Sequence, residues 1–211
     1  MESTDDPAVT KGAQTRAAIL EAAIDRFGQD GYRSTSVARI ARDAGVGGTV
    51  AYAYFPNKEA LFLAAVDHDA AGVIEQGLST VLDGPSGRAW RDSLIFALVE
   101  AVDHHPLAKR LLAGLEPEVT LRVLEIPALT ELRKACVERL RADQAAGTVR
   151  PDIDPQVIGA GIVTMMLSLL MSVVQMGNEV AAAYLREVTA VFDAAVLLDP
   201  GEAGRTRAIA T

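Results

Sequence analysis

Between Thr35 and Tyr54 the chain places two short apolar patterns on either side of a turn that requires a glycine. The first pattern runs to about Arg42, with Val37, Ile40 and Ala41 apolar. The turn is Asp43-Ala44-Gly45-Val46. The second runs from about Gly48 to Tyr54 and is stopped by Pro56. Ala41 is small enough for two helices to cross closely, and Gly45, four residues on, supplies a positive φ without steric cost. Ile40, Ala44, Val46, Ala51 and Tyr54 then form the wedge of core that holds the helices apart. The second helix is too short, and its side chains too small, to be a core helix. Left exposed, it has the dimensions to enter a DNA major groove.

The flanks read as helix throughout. From Thr10 to Gln29, residues Ala17, Ile19, Leu20, Ala23, Ile24 and Phe27 recur at three-and-four spacing. Asp30-Gly31 ends that helix, and Ser34-Thr35-Ser36 offers a cap for the next, assigned to Thr35. Ala38 stands where a capping box needs Glu or Gln. Asn57 caps a longer helix that begins Lys58-Glu59-Ala60-Leu61-Phe62. After a break at Asp83-Gly84-Pro85-Ser86-Gly87, helical patterns cover Arg88–Asp103, Pro106–Leu115, Pro117–Leu124 and Pro127–Ala146, the last ended by Gly147. Thr148 to Asp154 is an extended link. Two long helices close the chain, Pro155–Met176 and Glu179–Leu198. No alternating β-branched run suggests a sheet. The expected class is all-α, with an N-terminal three-helix helix-turn-helix domain over 10–56 and a larger helical domain over 57–200. Residues 1–9 and 201–211 are expected to be mobile tails.

Charge is unevenly spread. The whole chain carries −8. Thr10 to Ala60 holds seven Lys/Arg against five Asp/Glu, a net of +2, Met1–Val9 carries −3, and the rest of the chain carries −7. A mildly basic N-terminal module on an acidic body suits a DNA reader with a separate regulatory part. Pro155 to Asn178 contains no charged residue, which is long enough to raise a membrane span. Thr164, Ser168, Ser172 and Gln175 give one face mild polarity, and no strong basic cluster flanks the stretch. It reads instead as a helix buried on most sides, as at a subunit interface, with Gly159 and Gly161 allowing close approach. Leu170 is the position chosen to test that interface.

Composition narrows the chemistry. Cys136 is the only cysteine, so no internal disulfide forms, and a reducing cytoplasm is expected. It reads as a small buried hydrophobe. With His68, His104 and His105 it makes no metal-ligand spacing. His104-His105 before Pro106 suits a helix end, where imidazole complements the dipole. No phosphate loop, nucleophile motif or paired carboxylates point to catalysis. Asp152 and Asp154 read as turn and capping residues. No catalytic residue, metal or cofactor is expected.

The pattern Ile40-Ala41-x-x-Ala44-Gly45-Val46, followed by Tyr52-x-Tyr54-Phe55-x-Asn57-Lys58-Glu59-x-Leu61, resembles the TetR family of bacterial transcription regulators. Phe27-x-x-x-Gly31-Tyr32-x-x-Thr35 fits the same family, as does Ala146-Gly147-x-Val149-Arg150-Pro151-Asp152-x-Asp154-Pro155 before the penultimate helix. The resemblance implies that Gly48–Tyr54 is the recognition helix. It implies that Thr35, Tyr52, Tyr54 and Lys58 touch phosphates, and that Gly47, Gly48 and Thr49 meet base edges. The sequence departs from the family at Gly47, where Ser is usual, and at Gly48 and Ala53, which bring no long polar side chain. Thr49 remains as the direct reader, its methyl against thymine. Sequence choice then leans on the tyrosines, backbone amides and DNA shape.

The resemblance also implies a ligand pocket among the middle helices and a homodimer through 155–198. Trp90, Phe96, Leu115, Leu132, Met166 and Leu169 are the pocket candidates. The scarcity of charge there points to an apolar or amphipathic effector. The expected function is a ligand-released repressor that binds palindromic operator DNA as a homodimer. The alternative is a helical small-molecule-binding or scaffolding protein that has lost DNA binding. Because Asn57 starts a helix without a flexible linker, a ligand that tilts this helix would shift the reader.

Overall fold

The computed structural model describes residues 7–79, 88–117 and 124–197. Its helices are α1 Pro7–Ser34, α2 Val37–Asp43, α3 Gly48–Tyr54, α4 Lys58–Ser79, α5 Arg88–Val102, α6 Pro106–Leu112, α7 Pro127–Ala145, α8 Pro155–Met176 and α9 Asn178–Val196. Among the described residues the β contact is an isolated antiparallel bridge, Val149 with Leu197. The chain is therefore all-α, as its periodicity predicts. The expectations for Met1–Asp6, for the break at 83–87, for most of 117–124 and for 201–211 fall outside the described residues.

One compact unit combines Met1–Val73 with Val102–Ala128. It is larger than the 10–56 segment marked out on the sequence, because the next helices supply part of its core. Ile19, Leu20, Ala23 and Phe27 of α1 are buried, and so are Leu61, Phe62, Ala65 and Val66 of α4. Phe27, Tyr32 and Phe62 form an aromatic triangle, with Phe62 edge-on to Phe27 at 5.0 Å and to Tyr32 at 4.9 Å. Such pairs add about 0.5–1.5 kcal/mol each beyond area burial. Helix α6 lies so close to α1 that a Cβ on Gly28 would sit 2.9 Å from the Pro106 Cβ. The first helix starts at Pro7, where a proline's fixed φ suits the first helical position, so Pro7–Val9 is helix rather than tail. Gly31 breaks α1 as expected, at φ 81° and ψ 169°, and the chain resumes helical geometry beyond the kink.

Helix α6 is capped from a distance. One Asp69 carboxylate oxygen accepts the backbone N–H groups of Leu107 at 3.0 Å and Ala108 at 2.8 Å. The other pairs with His105 Nδ1 at 2.8 Å. His105 thus precedes the N-terminus of α6 with its ring held by Asp69, rather than complementing the dipole at the end of α5. The sequence reading missed this because Asp69 approaches only through the fold.

The second compact unit combines Ile74–Ala101 with Leu129–Thr211. Leu132, Cys136, Val137 and Leu140 of α7 are buried, as are Ile162, Val163, Met166, Leu169 and Leu170 of α8. Gly159 brings α8 against α7, since a Cβ there would lie 2.7 Å from Val137 Cγ2. Burial pushes the Cys136 thiol up to about 12, so it is protonated and inert at neutral pH. The link before α8 is tighter than an extended segment. Gln144 Nε2 donates to the carbonyls of Arg150 and Ile153, and the Arg150 N–H donates to Val196 O at 3.0 Å. Asp154 then caps α8 by accepting the Gln156 N–H at 2.8 Å.

Helix α8 keeps an uncovered face. Its most apolar window has a mean hydropathy of 2.3, yet only 33% of that window is buried. Val157, Ala160, Thr164, Ser168 and Met171 are exposed, at a spacing that puts them on one side of the helix. Thr164, Ser168 and Ser172 donate their hydroxyls to the carbonyls four residues earlier. Their polarity is thereby satisfied within the helix, and the face behaves as a nearly apolar one. Leu170, by contrast, is buried within the chain at 7% exposure, so it does not lie on this exposed face and does not meet the condition for an interface test.

Candidate nucleic-acid interface

The helix-turn-helix is set by local geometry. Gly45 has φ 69° in the turn, where the Val46 N–H donates back to Ala41 O at 2.9 Å. Ile40, Ala41 and Ala51 are buried between the helices, while Ala44, Val46 and Tyr54 are half-buried. Arg26 of α1 ties in α2 from below, pairing with Asp43 and with Asp30, and Arg39 reaches Asp30 at 3.4 Å. The Arg26 hydrogen bond holds the Asp43 carboxyl below the usual carboxylate range.

The cap of α2 is Ser36, not Thr35. Ser36 has extended backbone angles, and its Oγ accepts the Arg39 N–H at 3.3 Å. Thr35 is 3% exposed and donates its hydroxyl to Gly31 O at 2.8 Å. Its side chain is committed to the kink, which leaves the exposed Ser36 as the hydroxyl at the helix start. Adjacent Thr and Ser make this ambiguous in sequence, and only burial separates them.

The remaining expected residues lie on or beside α3. Thr49 and Ala53 are exposed, and Tyr52 is 52% exposed. Val50 is 42% exposed beside them, an apolar side chain on the same helix that the sequence did not single out. Its exposure on an otherwise small-residue helix follows from helix phase, since Ala51 takes the buried position. Tyr54 leans toward α1, its hydroxyl 3.6 Å from where a Gly12 Cβ would stand. Lys58 Nζ lies 4.5 Å above the Tyr32 ring and donates to Arg33 O at 3.3 Å. Asn57 caps α4 by accepting the Ala60 N–H at 2.7 Å, as its sequence position suggests.

Gly47 and Gly48 are not demanded by the fold. Gly47 has φ −72°, and α3 has no side-chain cap bond there. A Cβ on Gly48 would meet nothing within 4 Å. Gly48→Ala is therefore expected to stabilise the free protein slightly, by up to about 1 kcal/mol from helix propensity. If DNA approaches this backbone closely, the same change weakens DNA binding. Paired melting and DNA-titration measurements check the opposed signs, and a variant that gains in both would remove the close approach.

The pocket candidates are distributed over both compact units. Leu132, Met166 and Leu169 are buried in the second unit, and Phe96 there is 63% exposed. Leu115 belongs to the first unit and is 57% exposed. The Trp90 side chain lies outside the described residues. An open groove of about 490 Å³ is lined by Ala18, Glu21, Ala22, Asp25, Arg26, Gln29, Asp43 and Ala44, none of them a candidate. Among the described residues no cluster of His, Cys, Asp or Glu could hold a metal ion.

Residues 19–65, which hold most of α1, all of α2 and α3 and the start of α4, match the model of the bacterial regulatory proteins of the tetR family. This segment of the chain is a TetR-type helix-turn-helix domain. The HTH-type transcriptional regulator YuxN of Bacillus subtilis is 34% identical over 87 residues, which cover 41% of this chain and 30% of YuxN. The regulator UidR of Escherichia coli is 26% identical over 150 residues, 69% of this chain and 74% of UidR. A TetR-family transcriptional regulator from Cytophaga hutchinsonii superposes with a TM-score of 0.69 at 18% identity, covering 90% of this chain and 98% of that one. That similarity extends the shared fold through the helices beyond the matched segment.

Proposed function

We propose that this chain is a TetR-family transcriptional repressor that binds a palindromic operator as a homodimer and is released by a small apolar or amphipathic effector. The observation that carries the DNA part is the surface of α3. At the end of a built helix-turn-helix it exposes Thr49, Val50 and Tyr52, with Lys58 close by on the next helix. Methyl groups at positions 49 and 50 suit thymine, and a lysine ammonium and tyrosine hydroxyl suit phosphate oxygens. The two α3 helices of a dimer would need a separation of about 34–36 Å, or a multiple, to enter successive major grooves. The acidic body and absence of a catalytic motif favour regulation over catalysis, and the cytoplasm is the compartment for it.

The dimer reading rests on the exposed face of α8, continued on α9 by Tyr184 at 44% and Val191 at 71% exposure. A second copy related by a two-fold axis would cover both helices in a four-helix bundle. The effector reading rests on the apolar interior of the second unit, where Leu132, Met166 and Leu169 lie. Helix α4 runs unbroken from Lys58 to Ser79. An effector that favours the wrongly spaced state by ~100-fold supplies about 2.7 kcal/mol of coupling.

The test is a mobility-shift titration with the DNA upstream of the chain's own gene, over a range of salt. Lys58→Ala and Tyr54→Phe should weaken binding to specific and unrelated duplexes alike, because phosphate contacts carry no sequence. Lys58→Ala should also reduce the salt slope by about 0.9 per half-site. A chain that shifts no duplex at low salt would instead be a ligand-binding or scaffolding protein.

A further inference from the structure

Three details of the first compact unit converge on the kink at Gly31. Glu116, at 8% exposure, places one carboxylate oxygen 3.1 Å from the Tyr32 backbone nitrogen and accepts its N–H. The same oxygen accepts the Arg110 Nε–H at 2.7 Å, and Arg110 lies on α6. The space this clasp occupies is the space a side chain at 31 would need. A Cβ on Gly31 would stand 2.5 Å from Arg110 Nη2 and 2.6 Å from Glu116 Oε1. On the other side of the kink, the Tyr32 ring carries the Lys58 ammonium and the Arg33 carbonyl accepts from it. Thr35 closes the turn onto Gly31 O, directly before the Ser36 cap of α2.

We infer that Glu116, oriented by Arg110, is a positioning residue for DNA binding: by holding the Tyr32 amide it fixes the ring and carbonyl that aim Lys58. The inference rests on the proposed DNA-binding function and deepens it. A freed Tyr32 amide loses a charge-assisted bond at a glycine-hinged kink, where the backbone has more freedom than elsewhere. The ring then tilts, and Lys58 loses both of the partners described here. The sequence separation between Glu116 and Tyr32 hides this link from pattern reading.

The experiment compares wild type, Glu116→Ala, Glu116→Gln, Lys58→Ala and the Glu116→Ala/Lys58→Ala double variant. The probe is an arbitrary duplex of about 30 base pairs, bound through phosphate contacts alone and titrated across salt. Glu116→Ala should lower the salt slope by nearly as much as Lys58→Ala, and the double variant should lose no more than Lys58→Ala alone. Glu116→Gln, which keeps an oxygen acceptor for Tyr32, should restore most of the slope. Additive losses, or an unchanged slope in Glu116→Ala, overturn the inference. Two readouts need no DNA. Glu116→Ala should raise the Tyr32 amide exchange rate at least tenfold and remove the ring-current shift of the Lys58 ε-methylene protons. Persistence of both signals overturns the inference even if wild type binds no duplex, an outcome that would separately refute the function. Leu132→Ala, a core change in the other unit, controls for stability loss: an equal fall in its slope would also overturn the positioning role.

Discussion

Met171→Glu is expected to convert a wild-type dimer into folded monomers. Met171 is 37% exposed on the α8 face that also presents Val157 at 67% and the self-satisfied hydroxyls of Thr164 and Ser168. In the proposed four-helix bundle that face is buried against its copy, and a two-fold axis brings the substitution in twice. An unpaired carboxylate moved from water into an interface costs several kcal/mol. Association should weaken by at least ~100-fold, about 2.7 kcal/mol. Sedimentation at micromolar concentration reads the result, with far-UV dichroism to show that the helices remain. Leu170→Glu supplies the contrast, because Leu170 is buried within the protomer. It should destabilise the fold itself, on the order of 3–5 kcal/mol. A wild type that sediments as a monomer, or a Met171→Glu protein that remains a dimer, would refute the assignment of this face.

Phe27→Ala should cost about 3–5 kcal/mol of stability, the range for a buried aromatic truncated to alanine. Phe27 is fully buried, edge-on to Phe62 and stacked at 6.1 Å on Tyr32. The loss is a large share of a total that for most domains is about 5–15 kcal/mol. The proposed DNA contact of Lys58 should weaken as well, because the Tyr32 ring that stacks on Phe27 carries its ammonium. Phe27→Leu, which refills most of the volume, should cost clearly less. Urea denaturation followed by far-UV dichroism measures both, and a loss below about 1 kcal/mol for Phe27→Ala would show that the aromatic triangle is not a principal support.

The helices α2 and α3 stood in the sequence almost to the residue, because their signals are local. Gly45 needs a positive φ, Pro56 cannot continue a helix, and Asn57 carries the oxygen that caps the next one. Helix α8 was equally legible, bounded by Asp154-Pro155 and Gly177. Thr49 and Tyr52, named from the resemblance, are both exposed on α3. Sequence alone thus determined the all-α class and the position of the helix-turn-helix.

Tertiary structure decided everything that depends on which of two similar neighbours turns inward. Thr35 and Ser36 both cap well, but one is buried against Gly31 O and the other faces solvent. Leu170 and Met171 are both apolar, and a helix phase of 100° per residue puts one in the protomer core and the other outside. Asp69 capping α6, and Glu116 holding Tyr32, join residues 38 and 84 positions apart, and no periodicity records such pairs. The physical division is between preferences of the backbone, which act over a few residues and are written locally, and burial, which exists only once distant helices have met.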